Sequence, residues 1–265
     1  MAEKSVLMEH EGGLAILTLN RPEAYNALDP VLGDALLDAL VACDEDASVR
    51  AVLLTGAGKA FCSGGDLKAM QANADEHGFA NIFVKRLTIL LHGCIATMAR
   101  MEKPVIGAVN GTAGGAGFSL ALACDLVLAS ESAAFTMAYT RAGLAPDGSS
   151  SFFLPRVVGP KRAYELMVNN AVLSAQEARD LGIVNAVYRD ASFMAEARSY
   201  AERIAAGPTR ALGAAKRLIA LSPESSLETQ MEHERRAIAE CAGTEDFREG
   251  IAAFVGKRPP KFAGK

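Results

Sequence analysis

Two glycine-rich segments are placed where backbone groups, rather than side chains, could do chemistry. They are Phe61-Cys62-Ser63-Gly64-Gly65-Asp66-Leu67 and Asn110-Gly111-Thr112-Ala113-Gly114-Gly115-Ala116-Gly117. Each follows a short apolar run and leads into a stretch with helical character. Glycine lets a backbone N–H approach a ligand with no Cβ in between. A helix N-terminus adds unpaired N–H groups and the positive end of the helix dipole. The chemistry this suits is the holding of an anion, or of an oxyanion developing on a carbonyl.

The same residues admit other readings. The first segment also reads as a plain strand-to-helix turn with Asp66 as its N-cap. Gly115-x-Gly117 partly matches a dinucleotide fingerprint, but leucine at 120 replaces the third small residue and the motif lies mid-chain. Gly58-Lys59 lacks the upstream glycine and the following hydroxyl residue of a phosphate loop. Neither Cys62 nor Ser63 has a histidine nearby in sequence, and there is no Gly-x-Ser-x-Gly elbow, which argues against a nucleophile. Asp147, in Gly143-Leu144-Ala145-Pro146-Asp147-Gly148, is either an acid/base group or the middle of a turn that favours this tripeptide. Spacing alone leaves both open.

The elements that must position these residues alternate. Leu14–Leu19 reads as a strand, and Asn20-Arg21-Pro22 as a turn. Asp29-Pro30 reads as an N-cap with proline at the first helical position, ahead of Leu32, Leu36, Leu40 and Cys43 at helical spacing. Ala51–Thr55 and Pro104–Val109 read as buried strands, Ala116–Ala123 as a helix, and Leu126–Ala129 and Ile183–Val187 as further strands. This is a mixed α/β core of β-β-α or β-α-β units over residues 1–191. From about residue 192 the chain reads as helix throughout: Phe193–Ala206, Thr209–Leu221, Glu224–Ala242 and Thr244–Val255, stopped by Gly256 and Pro259-Pro260. Residues 192–265 are therefore expected to form a helical C-terminal region that packs on another subunit. Gln71–Leu91, polar at first, is expected to be mobile.

Composition bounds the class. A chain of 265 residues, half of them hydrophobic and 22% charged, fits one large core with a smaller appendage. A net charge of −4 argues against general affinity for nucleic acid or an anionic membrane. The five cysteines include no CxxC pair, and the four histidines lack metal-ligand spacing, so no disulfide framework and no metal site is expected. Met1–His10 is polar and Leu14–Leu19 is too short to span a bilayer, so the expected setting is cytoplasmic, without leader or anchor.

Taken together the two segments resemble the enoyl-CoA hydratase/isomerase (crotonase) superfamily. Asn20-Arg21-Pro22 with Asn26-Ala27-Leu28, Cys124-Asp125-Leu126, Gly143-Leu144, Leu154-Pro155 with Gly159, and Ser174-Ala175-x-Glu177-Ala178 with Gly182-Ile183-Val184 extend the resemblance over nearly the whole chain. It implies a spiral of ββα units with a C-terminal helical oligomerisation region, a trimer or dimer of trimers, and an acyl-CoA thioester substrate. It implies no separate cofactor, coenzyme A being part of the substrate. By position, the N–H groups of Gly65 and Ala116 would hold the thioester oxyanion. Gly65, Asp66, Leu67 and Lys68 would line the acyl-CoA path, with Ala24, Ala27 and Leu28 toward the pantetheine and nucleotide end. Phe254 and Lys257, read as part of the last helix, would reach the adenine and phosphates, in a neighbouring subunit.

The resemblance also bears on the reaction. Similar hydratases carry glutamates at the positions of Ser119 and Tyr139, and neither a serine hydroxyl nor a phenol is a good base at neutral pH. The isomerase branch carries its single acid at the place of Asp147, and Phe135-Thr136-Met137-Ala138-Tyr139 with the tail from Arg248 resembles the ring-epoxide isomerases of that branch. The expected activity is isomerisation of a 3-enoyl or ring-epoxide acyl-CoA, with Asp147 as proton shuttle and Ser119 and Tyr139 in contact with substrate. Hydration, acyl-CoA hydrolysis and non-catalytic acyl-CoA binding are the alternatives.

Overall fold

The computed structural model describes residues 4–265. Strands β1 (Val6–Glu11) and β2 (Leu14–Leu19) form an antiparallel hairpin, followed by helix α1 (Pro30–Glu45). Asp29 caps α1 by accepting from the Leu32 N–H, with Pro30 at the first position, as its sequence predicts. Then come β3 (Ala51–Gly56), β4 (Ala60–Cys62), α2 (Leu67–His77), α3 (Asn81–Arg100), β5 (Val105–Val109), β6 (Thr112–Gly114) and α4 (Ala116–Leu122). The pattern repeats with β7 (Leu126–Ser130), β8 (Ala134–Thr136), α5 (Ser150–Val158) and α6 (Pro160–Asn169). β9 (Leu173–Ser174), α7 (Ala175–Asp180), β10 (Ala186–Tyr188) and helices α8 (Phe193–Ala205), α9 (Thr209–Leu221), α10 (Leu227–Ala242) and α11 (Glu245–Val255) complete the chain.

The strands sort into two sheets. One has the order β1-β2-β3-β5-β7-β10 and the other β4-β6-β8-β9. Pairing is parallel except at β1–β2 and β8–β9. Each successive unit, β3–β4, β5–β6 and β7–β8, adds one strand to each sheet before the chain turns into helix. That is the expected spiral of ββα turns. β3 and β5 are buried at every residue, which explains why their sequences run apolar without alternation.

The main core fills the space between the sheets and α1, α3, α4 and α5. α8 covers the other side of the large sheet, burying Phe193, Ala197, Ala201 and Ala205 against Leu14, Ile16, Leu53 and Ile106. The helical C-terminal stretch thus begins within the core.

Three readings of the elements are corrected, and a fourth segment gains a defined structure. β1 was not foreseen, because among its residues only Val6 is buried and an edge strand shows no clean alternation. The strand expected at Ile183–Val187 starts at Ala186, since Ile183 and Val184 bury their side chains in the turn after α7. The helix expected from Glu224 starts at Leu227, where Ser226 accepts from the Thr229 N–H, and Ser222–Glu224 is a separate 3₁₀ turn. Gln71–Leu91 is largely helix, divided between α2 and α3 around Gly78, which takes φ +80°. α3 is long and apolar enough to cross a membrane by length and composition, yet Leu87, Leu91, Cys94, Ile95 and Met98 are buried in the protein.

Candidate active site

The two glycine-rich segments meet where the small sheet gives way to helix. β4 and β6 are paired, so the chain leaving β4 passes directly against the start of α4. A Cβ on Gly117 would stand 2.0 Å from the Cys62 carbonyl oxygen, so only glycine permits this approach. Gly64 takes φ +113°, and a Cβ there would lie 3.0 Å from the Gly114 carbonyl.

The Asn20–Leu28 segment fixes the first strip from outside. Asn26, fully buried, donates to the Ala57 and Ala60 carbonyls at 3.0 and 2.7 Å and accepts from the Arg21 N–H at 2.8 Å. Arg21 forms ion pairs with Asp29 and Asp66, each at 3.2 Å, and donates to the Ala27 carbonyl. The Leu28 N–H donates to the Gly64 carbonyl at 2.7 Å, and the Asp66 N–H to the Leu28 carbonyl at 2.9 Å. These bonds consume the polar groups flanking Gly65 and leave its own N–H free. Among the described residues, neither the Gly65 N–H nor the Ala116 N–H, at the first position of α4, donates to any protein group.

Both amides open on a cavity of about 310 Å³. Its walls are mostly apolar, with Leu28, Leu67 and Met70 on one side and Leu87, Leu91 and Leu144 on another. Asp147 is the only charged side chain among its described lining residues.

Three helices hold the Asp147 loop. Thr88 of α3 donates to Asp147 Oδ2 at 3.2 Å, and the Gly148 N–H donates to His92 Nε2 of the same helix at 3.2 Å. Ser119 of α4 and Ser150 of α5 donate to the Asp147 carbonyl at 3.0 and 2.8 Å. Gly148 takes φ +58° and lies so close to Ser119 that a Cβ would stand 2.6 Å from its Cβ. The other carboxylate oxygen, Oδ1, is buried with no partner.

Tyr139 completes the polar end of the cavity. Its hydroxyl lies 2.8 Å from Ser119 Oγ. Burial first, and then the charge of Asp147, push the phenol well above its ordinary value, so it is neutral and a hydrogen-bonding group. Burial also pushes the Cys62 thiol up to about 11, so it carries no thiolate at neutral pH.

Of the residues singled out in the sequence, Gly65, Ala116, Asp147, Leu28, Leu67 and Tyr139 share this cavity. Ser119 does not reach it. It is fully buried behind Tyr139, with its hydroxyl among Tyr139, Gly115 and Asp147, rather than on the cavity wall where its expected contact with substrate would put it. Asp66 caps α2 through the Ala69 N–H, and Lys68 is exposed outside the lining. Ala24 and Ala27 lie in the turn held by Arg21. Phe254 and Lys257 are exposed away from the cavity, and Lys257 falls beyond the end of α11 rather than within it. Thr88 and His92 were missed. The apolar spacing Leu87, Leu91, Cys94 and Met98 marks the helix that carries them, but the polar run before it obscured the signal.

The enoyl-CoA hydratase/isomerase family model matches residues 9–265. The chain belongs to this family. It is therefore an acyl-CoA-processing enzyme with a crotonase fold. It is 38% identical to the 1,2-epoxyphenylacetyl-CoA isomerase of Escherichia coli (strain K12), over 98% of both chains. It is 36% identical to 4-chlorobenzoyl coenzyme A dehalogenase-2 of an Arthrobacter species, over 97% of this chain and 92% of that one. Its backbone superposes on the crystal structure of an enoyl-CoA hydratase from Polaromonas sp. JS666 with a TM-score of 0.91, at 39% identity over 97% of this chain and 99% of the other. These three relatives carry three reaction names on one family frame, so the chemistry within the family has to be argued from the side chains at the cavity.

Proposed function

We propose that the chain isomerises an acyl-CoA thioester through an enolate, moving a double bond from the 3,4 to the 2,3 position or rearranging a ring epoxide. The observation that carries this is a single carboxylate, Asp147, at an apolar cavity that also receives two free amides. The thioester oxygen sits between the Gly65 and Ala116 N–H groups, which stabilise the negative charge as it forms. Asp147 removes a proton from C2, the electrons move into the carbonyl, and the acid returns the proton at C4 as the carbonyl reforms. One base suffices for that exchange, and it needs no other reactant.

Hydration fits less well. It calls for two acid/base groups around one water, and the two hydratase positions hold a buried serine and a phenol that resists ionisation. The 38% identity to an epoxide isomerase supports an aromatic ring epoxide as an alternative acyl group on the same machinery. In this reading coenzyme A enters only as part of the substrate. Ala24 and Ala27 flank its pantetheine, and Phe254 and Lys257 meet its nucleotide in a neighbouring copy of the chain.

A panel of 3-enoyl, 2-enoyl and aromatic ring-epoxide CoA thioesters, followed by mass and absorbance, tests the assignment. Isomerised product from the first or last class is expected, with Asp147→Asn lowering turnover by roughly 10²–10⁴ while acyl-CoA binding persists. Full activity in Asp147→Asn, or release of free coenzyme A as the main product, would overturn it.

A further inference from the structure

The cluster behind Asp147 contains more hydroxyl groups than positioning requires, and its proton count is informative. Ser119 Oγ lies 2.8 Å from the Tyr139 hydroxyl, 3.0 Å from the Asp147 carbonyl and 3.3 Å from the Gly115 carbonyl. A serine hydroxyl has one proton to give. The two carbonyls do not depend on it, because Asp147 O also accepts from Ser150 Oγ and the Ser150 N–H, and Gly115 O from the Ser119 N–H. The Ser119 proton can therefore point to a carbonyl while Tyr139 donates to Ser119, or point to Tyr139 and free the phenolic proton. Both arrangements leave these carbonyls satisfied.

The freed phenolic proton has one evident destination. Tyr139 and Asp147 line the same cavity, Ser119 Oγ joins the Tyr139 hydroxyl to the Asp147 backbone carbonyl, and Asp147 Oδ1 is buried without a partner. A buried carboxylate oxygen left unpaired is costly, and more so while charged. As the proposed shuttle, Asp147 must be comfortable in both states: charged before it takes the substrate proton and neutral after. A fixed donor would favour only the first.

We propose that Tyr139 and Ser119 form a two-position hydrogen-bond relay that follows the protonation state of Asp147. When Asp147 is charged, Ser119 donates to Tyr139 and Tyr139 donates to Oδ1. When Asp147 holds the substrate proton, Tyr139 turns back to Ser119, and Ser119 donates to the Asp147 carbonyl. No proton leaves the relay, since only the direction of its hydrogen bonds reverses. Both are positioning residues, acting on the substrate through Asp147, and the proposal rests on the shuttle reading above. The other titratable groups near the relay are Cys62, a neutral thiol beside Tyr139, and His92, which accepts from the Gly148 N–H.

The relay predicts opposite effects from its two ends. Tyr139→Phe removes the donor that serves charged Asp147, so the acid limb of the kcat profile moves to higher pH. Ser119→Ala leaves the phenolic proton no partner except Asp147, so that limb moves to lower pH. Each displacement should be on the order of one pH unit, as expected for a single charge-assisted hydrogen bond, with kcat lowered roughly tenfold and KM little changed. The measurements are exchange of substrate protons in deuterated water across pH, with thermal melts to show that the variants fold. Limbs that move together, or do not move, in folded variants would overturn the relay while leaving the shuttle intact provided Asp147→Asn is inactive. An active Asp147→Asn would instead remove the shuttle reading itself.

Discussion

At the scale of single residues the site depends on which glycines have room for a side chain. Gly117 has none. Its added Cβ would meet the Cys62 carbonyl at 2.0 Å, a backbone atom that cannot rotate away. Gly65 is different, because a Cβ there meets only the terminal Cε of Met70, at 2.6 Å, and a flexible methionine can move. Gly117→Ala is therefore expected to push α4 away from β4, destabilise the fold by about 1–3 kcal/mol, and lower kcat by roughly 10² through displacement of the Ala116 N–H. Gly65→Ala should fold with little loss of stability. Thermal melts and turnover of the two variants check this, and equal melting temperatures for both would contradict it. The sequence shows that glycines cluster here, but not which of them the opposing strand confronts, because that depends on a pairing between residues far apart in the chain.

At the scale of elements, legibility followed locality. Asp29-Pro30, Asp66 and Ser226 act as caps through bonds to residues three positions on, and the first two were read directly from sequence. The fully buried strands were legible from their unbroken apolar runs. α3 was obscured by the polar α2 before it, so Thr88 and His92, which hold the Asp147 loop, went unread. The C-terminal tail was equally hidden, since only its Pro259-Pro260 stop is a local signal. It folds back on α11: Arg258 makes a two-pronged ion pair with Glu249 at 2.6 and 2.8 Å, the Lys261 N–H donates to Glu249, and buried Asp246 accepts from the Ala263 and Gly264 N–H groups. The hydrogen bonds from Arg258 and Lys261 hold the Glu249 carboxyl down to about 2. A carboxylate depressed in the folded state contributes its stabilisation above its unfolded value, about 4.3, and loses it as pH falls through the folded value. The tail should remain docked from neutral pH to below 4 and loosen only toward 2, read by hydrogen exchange at Lys261. Glu249→Gln should loosen it already at pH 7. A tail that detaches near pH 4.5 in the native chain would refute the assignment.

At the scale of the whole molecule the C-terminal helices present apolar side chains that a lone chain leaves in water. Phe254 is 85% exposed, Val255 75% and Ile238 71%, and exposed Phe247, Ile251 and Phe254 line one pocket along α11. Contiguous apolar surface on a soluble protein marks an interaction site, and copies of this chain packing through α10 and α11 would cover it. On the proposed reading, that packing would carry Phe254 and Lys257, which lie outside the cavity of their own chain, to the coenzyme held by a neighbour. Phe254→Glu places a charge where the interface would be dry, so it should shift the assembly to smaller species by light scattering at unchanged helical content. The same variant should raise KM for acyl-CoA more than it lowers kcat, because Asp147 and the two amides belong to one chain while the proposed nucleotide contact would come from another. A native protein that is monomeric at micromolar concentration, or a Phe254→Glu variant with native mass and native KM, would rule out the shared site.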